Sequence, residues 1–232
     1  EYLQEIKSPI FYAVQKNINI QTGQPTILDF DMQRISQRIN IVFNIRTEGN
    51  IKREDLSAPI IELSGACGRF NIADACLDTT RLYRMAHQVQ PDEFTQTGEG
   101  TYRCVVHFHT LGVIPSAAKG HLNGPGILQV ALQVSTPQLD SSGAPVLDEE
   151  GNPVKNSRYI YGAINPYDEL TAAQLIEVRN GKIYLRYSKE DVNIEITTPL
   201  VIKADQIVPN DTGMGWQPHD PTNPDDDIII EI

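Results

Sequence analysis

The chain has 232 residues, enough for one large β domain or two small ones around a core of ordinary size. Apolar residues make up 40% and charged residues 21%, a globular balance. The net charge of −11 argues against direct nucleic-acid binding and against lying on anionic lipid, and no apolar run approaches the roughly 20 residues of a membrane helix.

The chain opens at Glu1 with no Met, basic region or apolar leader, so it reads as processed or as a piece of something longer. Three cysteines, Cys67, Cys76 and Cys104, form no CxxC pair. An odd number without metal spacing predicts buried free thiols, which suits folding in a reducing cytosol.

Residues 1–37 read as an N-terminal arm. Ser8–Val14 and Asn17–Gln21 are expected as short strands, Thr22-Gly23-Gln24-Pro25 as a turn, and Thr26–Phe30 as a short apolar run. Arg38–Thr47 is a better strand, with Ile39, Ile41, Phe43 and Ile45 on one face, ended by Glu48-Gly49-Asn50. Pro59–Leu63 is a short strand closed by Ser64-Gly65. Ala66–Gln90 carries two competing readings. Asp78 caps a short helix with Leu82, Met85 and Val89 on one stripe, or Arg81–Met85 is a strand.

Thr95–Gly100 reads as a polar loop before a strong strand at Thr101–Thr110. Tyr102, Cys104, Val106 and Phe108 point inward there; Arg103, Val105, His107 and His109 point outward. Gly112–Gly126 is a loop, and Ile127–Ser135 a second strong strand with Leu128, Val130, Leu132 and Val134 inward. Thr136–Ser157 reads as a protruding hairpin tipped by acids, and no internal repeat is evident. Arg158–Ala163 follows as another strand. Thr171 and Gln174 have capping-box spacing for a single helical turn, although extension into the next hairpin is preferred.

That hairpin, inside Thr171–Thr198, is the clearest architecture in the chain. Asn180-Gly181 accepts positive φ at both central positions of a type I′ turn. Such a turn sets Val178 opposite Ile183 and Ile176 opposite Leu185. After a polar break at Ser188–Asp191, the residues Val192, Ile194 and Ile196 extend it to a three-strand meander with one apolar face. Burying these side chains is worth about 1.5–3 kcal/mol each before entropy is subtracted. Beyond Asp205 the prolines forbid a continuous strand, so 205–232 reads as a C-terminal arm. It ends in the apolar residues Ile228, Ile229, Ile230 and Ile232, which need a sheet edge, their own or a neighbour's. Trp216, the only Trp, is read as a partner-binding anchor or as packing onto its own domain.

Chemistry is sparse. His107-Phe108-His109 places two imidazoles on one strand face about 7 Å apart. This metal-ligand spacing occurs in cupin-like barrels, which add a Glu three or four residues further on. Here those positions hold Gly112 and Val113, so the pattern fails, and His121 in the glycine-rich loop is a third candidate. Cys104 faces inward, where burial raises a thiol pKa and shields it. No GxSxG or HExxH occurs. The acids Asp148-Glu149-Glu150 and Asp225-Asp226-Asp227 lack the ligand spacing of a calcium loop, and Gly120–Gly126 lacks the Lys-Ser/Thr of a phosphate loop. No metal, cofactor or catalytic residue is assigned.

Three stretches, GPGILQVALQVSTPQLD at Gly124–Asp140, the hairpin DEEGNPV and RNGKIYLRYSKEDVNIEIT at Arg179–Thr197, resemble virion appendage proteins of tailed bacteriophages, especially those infecting Bacteroides-type gut bacteria. The resemblance covers under a third of the chain and transfers no catalytic residue. It implies a β-sandwich in a head fibre, decoration or baseplate structure, often in symmetric oligomers.

The expected fold is all-β: an antiparallel β-sandwich, jelly-roll or Ig-like, over 38–204, with extended arms at both ends and little helix. The expected function is a non-enzymatic structural or attachment protein of a virus particle. It would assemble through β-sheet surfaces and through N- and C-terminal arms reaching neighbours, with further copies of itself, other virion proteins and a host glycan as partners. The alternatives are a secreted or surface glycan-binding β-sandwich of a bacterium, stacking sugars on Tyr184 or Trp216, and a cupin-like metalloenzyme using His107, His109 and His121.

Overall fold

The computed structural model of the chain describes residues 1–49, 51–186, 191–204 and 206–219. Its strands up to the middle of the chain are β1 (Phe11–Tyr12), β2 (Gln33–Arg34), β3 (Gln37–Glu48), β4 (Ile60–Cys67), β5 (Phe70–Asn71), β6 (Cys76–Leu77), β7 (Leu82–Gln88), β8 (Phe94–Gly98) and β9 (Thr101–Thr110). There follow β10 (Leu128–Pro137), β11 (Lys155–Ile164), the helix α1 (Tyr167–Ala173), β12 (Ile176–Arg179), β13 (Lys182–Leu185), β14 (Asp191–Lys203), β15 (Gln206–Ile207) and β16 (Gln217–Pro218).

Two five-stranded sheets enclose one core. One has the order β15-β14-β3-β9-β8 and the other β16-β11-β10-β4-β7. Period-two alternation produces this directly. Ile39, Ile41, Phe43 and Ile45 of β3 and Tyr102, Cys104, Val106 and Phe108 of β9 are all buried, and they meet Leu128, Val130, Leu132 and Val134 of β10 across the sandwich. The all-β reading holds, and the single short helix fits it.

The predicted meander does not form. The β12–β13 hairpin has the expected register, Ile176 to Leu185 and Val178 to Ile183, with Asn180 and Gly181 both at positive φ. However, β13 pairs next with β6, while β14 lies parallel to β3 in the other sheet. The reason is burial. Two central strands with apolar inner faces bury more surface side by side than either does on a hairpin whose Val178 stays 65% exposed.

Other segments also depart from expectation. Gly65 does not close a strand: it sits at a bulge (φ +85) inside β4, which runs on to Cys67. The strand reading of 81–85 wins over the helix, as β7, because its alternate side chains seal the edge of a sheet. Thr95–Gly100 is not simply a loop. Its residues to Gly98 belong to β8, a short edge strand on β9. Asn17–Gln21 forms no strand. Thr171 lies in the last turn of α1 rather than capping it, and Gln174 ends the helix at φ +52.

Between β10 and β11 the chain contains a repeat. Leu139–Val146 (LDSSGAPV) and Leu147–Val154 (LDEEGNPV) share L-D-x-x-G-x-P-V. Each octapeptide makes the same turn. Asp140 Oδ1 accepts from the Ser142 and Ala144 amides at 2.8 and 3.0 Å, and Asp148 Oδ1 from the Glu150 and Asn152 amides at 2.9 and 2.8 Å. Backbone bonds of 2.8 Å run in a cycle: Val146 N–H to Gln138 O, Val154 N–H to Val146 O, and Gln138 N–H to Val154 O. The predicted single hairpin is therefore a three-way junction with two equivalent leaves.

Neither terminal segment is wholly an arm. Residues 206–219 return to the body: β15 borders β14, β16 borders β11, and the segment clasps both sheets on one side. At the other end, the Leu3 amide donates to Arg84 O and the Ile6 amide to His109 O. The projecting part is residues 13–32, which contain no helix or strand and are closed off by the β1–β2 pairing.

Candidate functional site

Side chains at one open seam of the sandwich form a polar cluster. β7 brings His87 and β9 brings His107 to the Glu93 carboxylate, at 2.8 Å for His87 Nε2 and 3.7 Å for His107 Nε2. The Gln90 amide donates to the same carboxylate at 2.8 Å. His107 Nδ1 lies 2.7 Å from Asn40 Oδ1, and Asn40 donates to Asn193 Oδ1 at 2.8 Å. Burial pushes the Glu93 carboxyl up, but His87, the Gln90 amide and the charge of His107 outweigh it and hold it below its ordinary value. Burial, helped by the Arg38 charge, holds His107 below the usual imidazole value.

A second cluster sits under the N-terminus. Glu62, 1% exposed, accepts from Tyr2 Oη at 2.6 Å and lies 3.5 Å from Arg84 Nε. Burial raises the Glu62 carboxyl, with Tyr2 and Arg84 offsetting part of that. Burial, with the bond to Glu62, also lifts the Tyr2 phenol. In both clusters the polar atoms are spent on each other, closing seams between strands.

The three candidate histidines are not assembled into one ligand set. His109 is buried against Ser36 Oγ at 3.0 Å, and burial lowers its pKa. His121 is exposed in its loop, where its carbonyl accepts from Asn165 Nδ2 at 2.8 Å. Among the described residues no group of three or more His, Cys, Asp or Glu side chains has metal-holding geometry. All three cysteines are free and buried. Burial, then the charge of Asp78 or Glu93, pushes the Cys67 and Cys104 thiols up to about 12.

Trp216 is 1% exposed, which corrects its reading as a partner-binding anchor. Its ring lies 5.2 Å from Phe43, and Nε1 donates to Thr198 O at 3.0 Å. The strand register shifts between Ile196 and Leu200, around Pro199, and the Thr198 carbonyl there takes the indole. Tyr184 carries the Arg179 guanidinium over its ring at 4.4 Å, so that face is covered. Ile228, Ile229, Ile230 and Ile232 lie outside the described residues.

What remains open is the N-terminal arm, with the apolar run expected at Thr26–Phe30. In residues 13–32 the side chains of Val14, Ile18, Ile20, Ile27, Phe30 and Met32 are exposed, Ile27 to 85% and Phe30 to 53%. Leu28, Phe30 and Met32 alternate with Asp29 and Asp31, the period of a strand with one apolar face, yet among the described residues no strand pairs with them. At the far end of the β3 sheet, β8 presents an outer edge without backbone partners among the described residues. Beside it opens a cleft of about 570 Å³ lined by the buried Ile51 and Tyr102 and by Lys52, Arg53, Gln96 and Glu99. A second groove, of about 670 Å³, lies over β5, β6 and β13, with Lys182 bonded to Asp74 at 2.9 Å inside it.

Comparison of the chain with protein-family models, with curated proteins and with solved structures gave no match.

Proposed function

We propose that this chain is a structural or attachment subunit of a multi-chain assembly, of the kind built into a virus particle, with a rigid sandwich body and an arm at 13–32 that engages a neighbour. The observation that carries the reading is the arm itself: a run of exposed Ile, Phe and Met side chains in a segment with strand periodicity and no strand partner among the described residues. Exposed apolar side chains gathered in one segment mark an interface. The two densest polar clusters support a structural rather than a catalytic role, since Glu93 and Glu62 are bonded into seams of the body. The virion setting rests on the resemblance of the β10, β13 and β14 sequences described above. Light scattering on the purified chain tests the assembly. The reading expects a mass that is a multiple of 25.9 kDa, and a monomer at every concentration contradicts it.

A glycan-binding reading is favoured by one observation, and it moves the site. The rings of Tyr159 and Tyr161 lie 6.3 Å apart at 25°, on the outer face of β11, with Tyr159 exposed. Binding on a glycan array that is lost in Tyr159→Ala would select this reading for that face.

A further inference from the structure

We propose that residues 28–32 of one copy add as a strand to the free edge of β8 on a second copy, seating Phe30 in the cleft beside it. This rests on the assembly reading and names its contact.

Three features converge on it. The first is backbone: among the described residues nothing pairs with the outer edge of β8 or with Leu28–Met32, a segment of strand periodicity. Joining them satisfies both sets of amides and carbonyls, as in strand addition generally. The second is room. The cleft of about 570 Å³ is larger than one phenylalanine side chain, and Ile51 and Tyr102 are among its lining residues. The third is charge. The chain as a whole carries −11, so copies repel one another on average. Lys52 and Arg53 line this cleft together with Glu54 and Glu99, so its own charges balance, whereas Arg103, exposed and without an ion pair among the described residues, stands opposite Thr95 on the other face of β8. Asp29 and Asp31 occupy the alternate positions of the incoming strand, so with Phe30 in the cleft they point to the opposite face, the one that carries Arg103.

The contact is between chains because the arm cannot reach its own cleft. Phe30 is seven residues ahead of Gln37, a span of at most ~25 Å even fully extended. The cleft lies at Thr47, ten residues beyond Gln37 along β3, roughly 33 Å away. Residues 34 and 35 are also held at the near end, Arg34 by pairing with Phe11 and Ile35 by the bond from its amide to Ile10 O.

Disulfide trapping between mixed chains tests this. The native cysteines are buried, so introduced surface thiols are the reactive ones. A chain carrying Asp31→Cys is mixed with a tagged chain carrying Thr95→Cys and oxidised; a parallel mixture uses Val178→Cys, on the exposed β12 hairpin. We expect the mixed disulfide with Thr95→Cys to exceed that with Val178→Cys at least tenfold, and Phe30→Asp in the first chain to abolish it. Equal trapping in the two mixtures, with an oligomeric unmodified chain, overturns the β8 contact and leaves the assembly reading standing. A monomeric unmodified chain with no trapping overturns both. Phe30 is exposed in the single chain, so Phe30→Asp does not threaten the fold.

Discussion

Removing the Trp216 side chain tests whether the proline-rich segment is part of the body. Trp216→Ala deletes a ring enclosed by the main core and packed on Phe43, in a segment that borders both sheets. Emptying a buried aromatic site costs about 3–5 kcal/mol. Trp216→Phe keeps an aromatic ring there but leaves the Thr198 carbonyl without its donor, at about 1–3 kcal/mol. For a chain of this size the alanine variant should melt roughly 6–20 °C lower. Urea unfolding followed by far-UV circular dichroism gives both values, and an unchanged m-value keeps the comparison two-state. The reasoning fails if Trp216→Ala costs less than about 1 kcal/mol, for then residues 206–219 merely rest on the sandwich.

Two further outcomes follow from the geometry. Glu62 has a folded pKa above its unfolded value, so its contribution is present below the unfolded pKa and lost as pH rises through the folded one. Glu62→Gln keeps an acceptor for Tyr2 without the buried charge. Its stability relative to the natural chain should therefore rise as pH increases above about 4.5, in urea melts at a series of pH values; a relative fall would contradict the sign. Gly65→Ala should cost at least ~3 kcal/mol, because a Cβ at φ +85 would lie 2.6 Å from Ile114 O and 2.7 Å from Gly126 N, both backbone atoms that cannot turn aside. Soluble expression and thermal melting of that variant report it.

The strands with strict alternation, β3, β9 and β10, were legible because inner and outer faces differ at every second residue. The β12–β13 hairpin was legible because Asn180-Gly181 dictates its turn and register. What local pattern cannot carry is partner choice. Nothing in Val192–Ile196 says that it lies parallel to β3 rather than beside the adjacent hairpin, since that depends on how much surface two distant segments bury together. Gly65 reads equally as a turn or a bulge until the neighbouring backbone at Ile114 and Gly126 is seen to require the close approach. Trp216 among prolines looks like an arm because its acceptor, the Thr198 carbonyl, is freed by an irregularity eighteen residues away. The His87–Glu93–His107 cluster joins strands of opposite sheets and leaves no spacing signature. Two signals were present and readable: the L-D-x-x-G-x-P-V repeat and the L-D-F-D-M alternation at 28–32.

Hydrogen exchange at residues 28–32, measured against protein concentration, addresses assembly through the arm most directly. Among the described residues of a single chain the amides there have no strand partner. The account predicts protection that appears as concentration rises, together with protection of the outer amides of β8, and that disappears from both in Phe30→Asp. Exchange at the unprotected rate across the whole concentration range, in both segments, would contradict it.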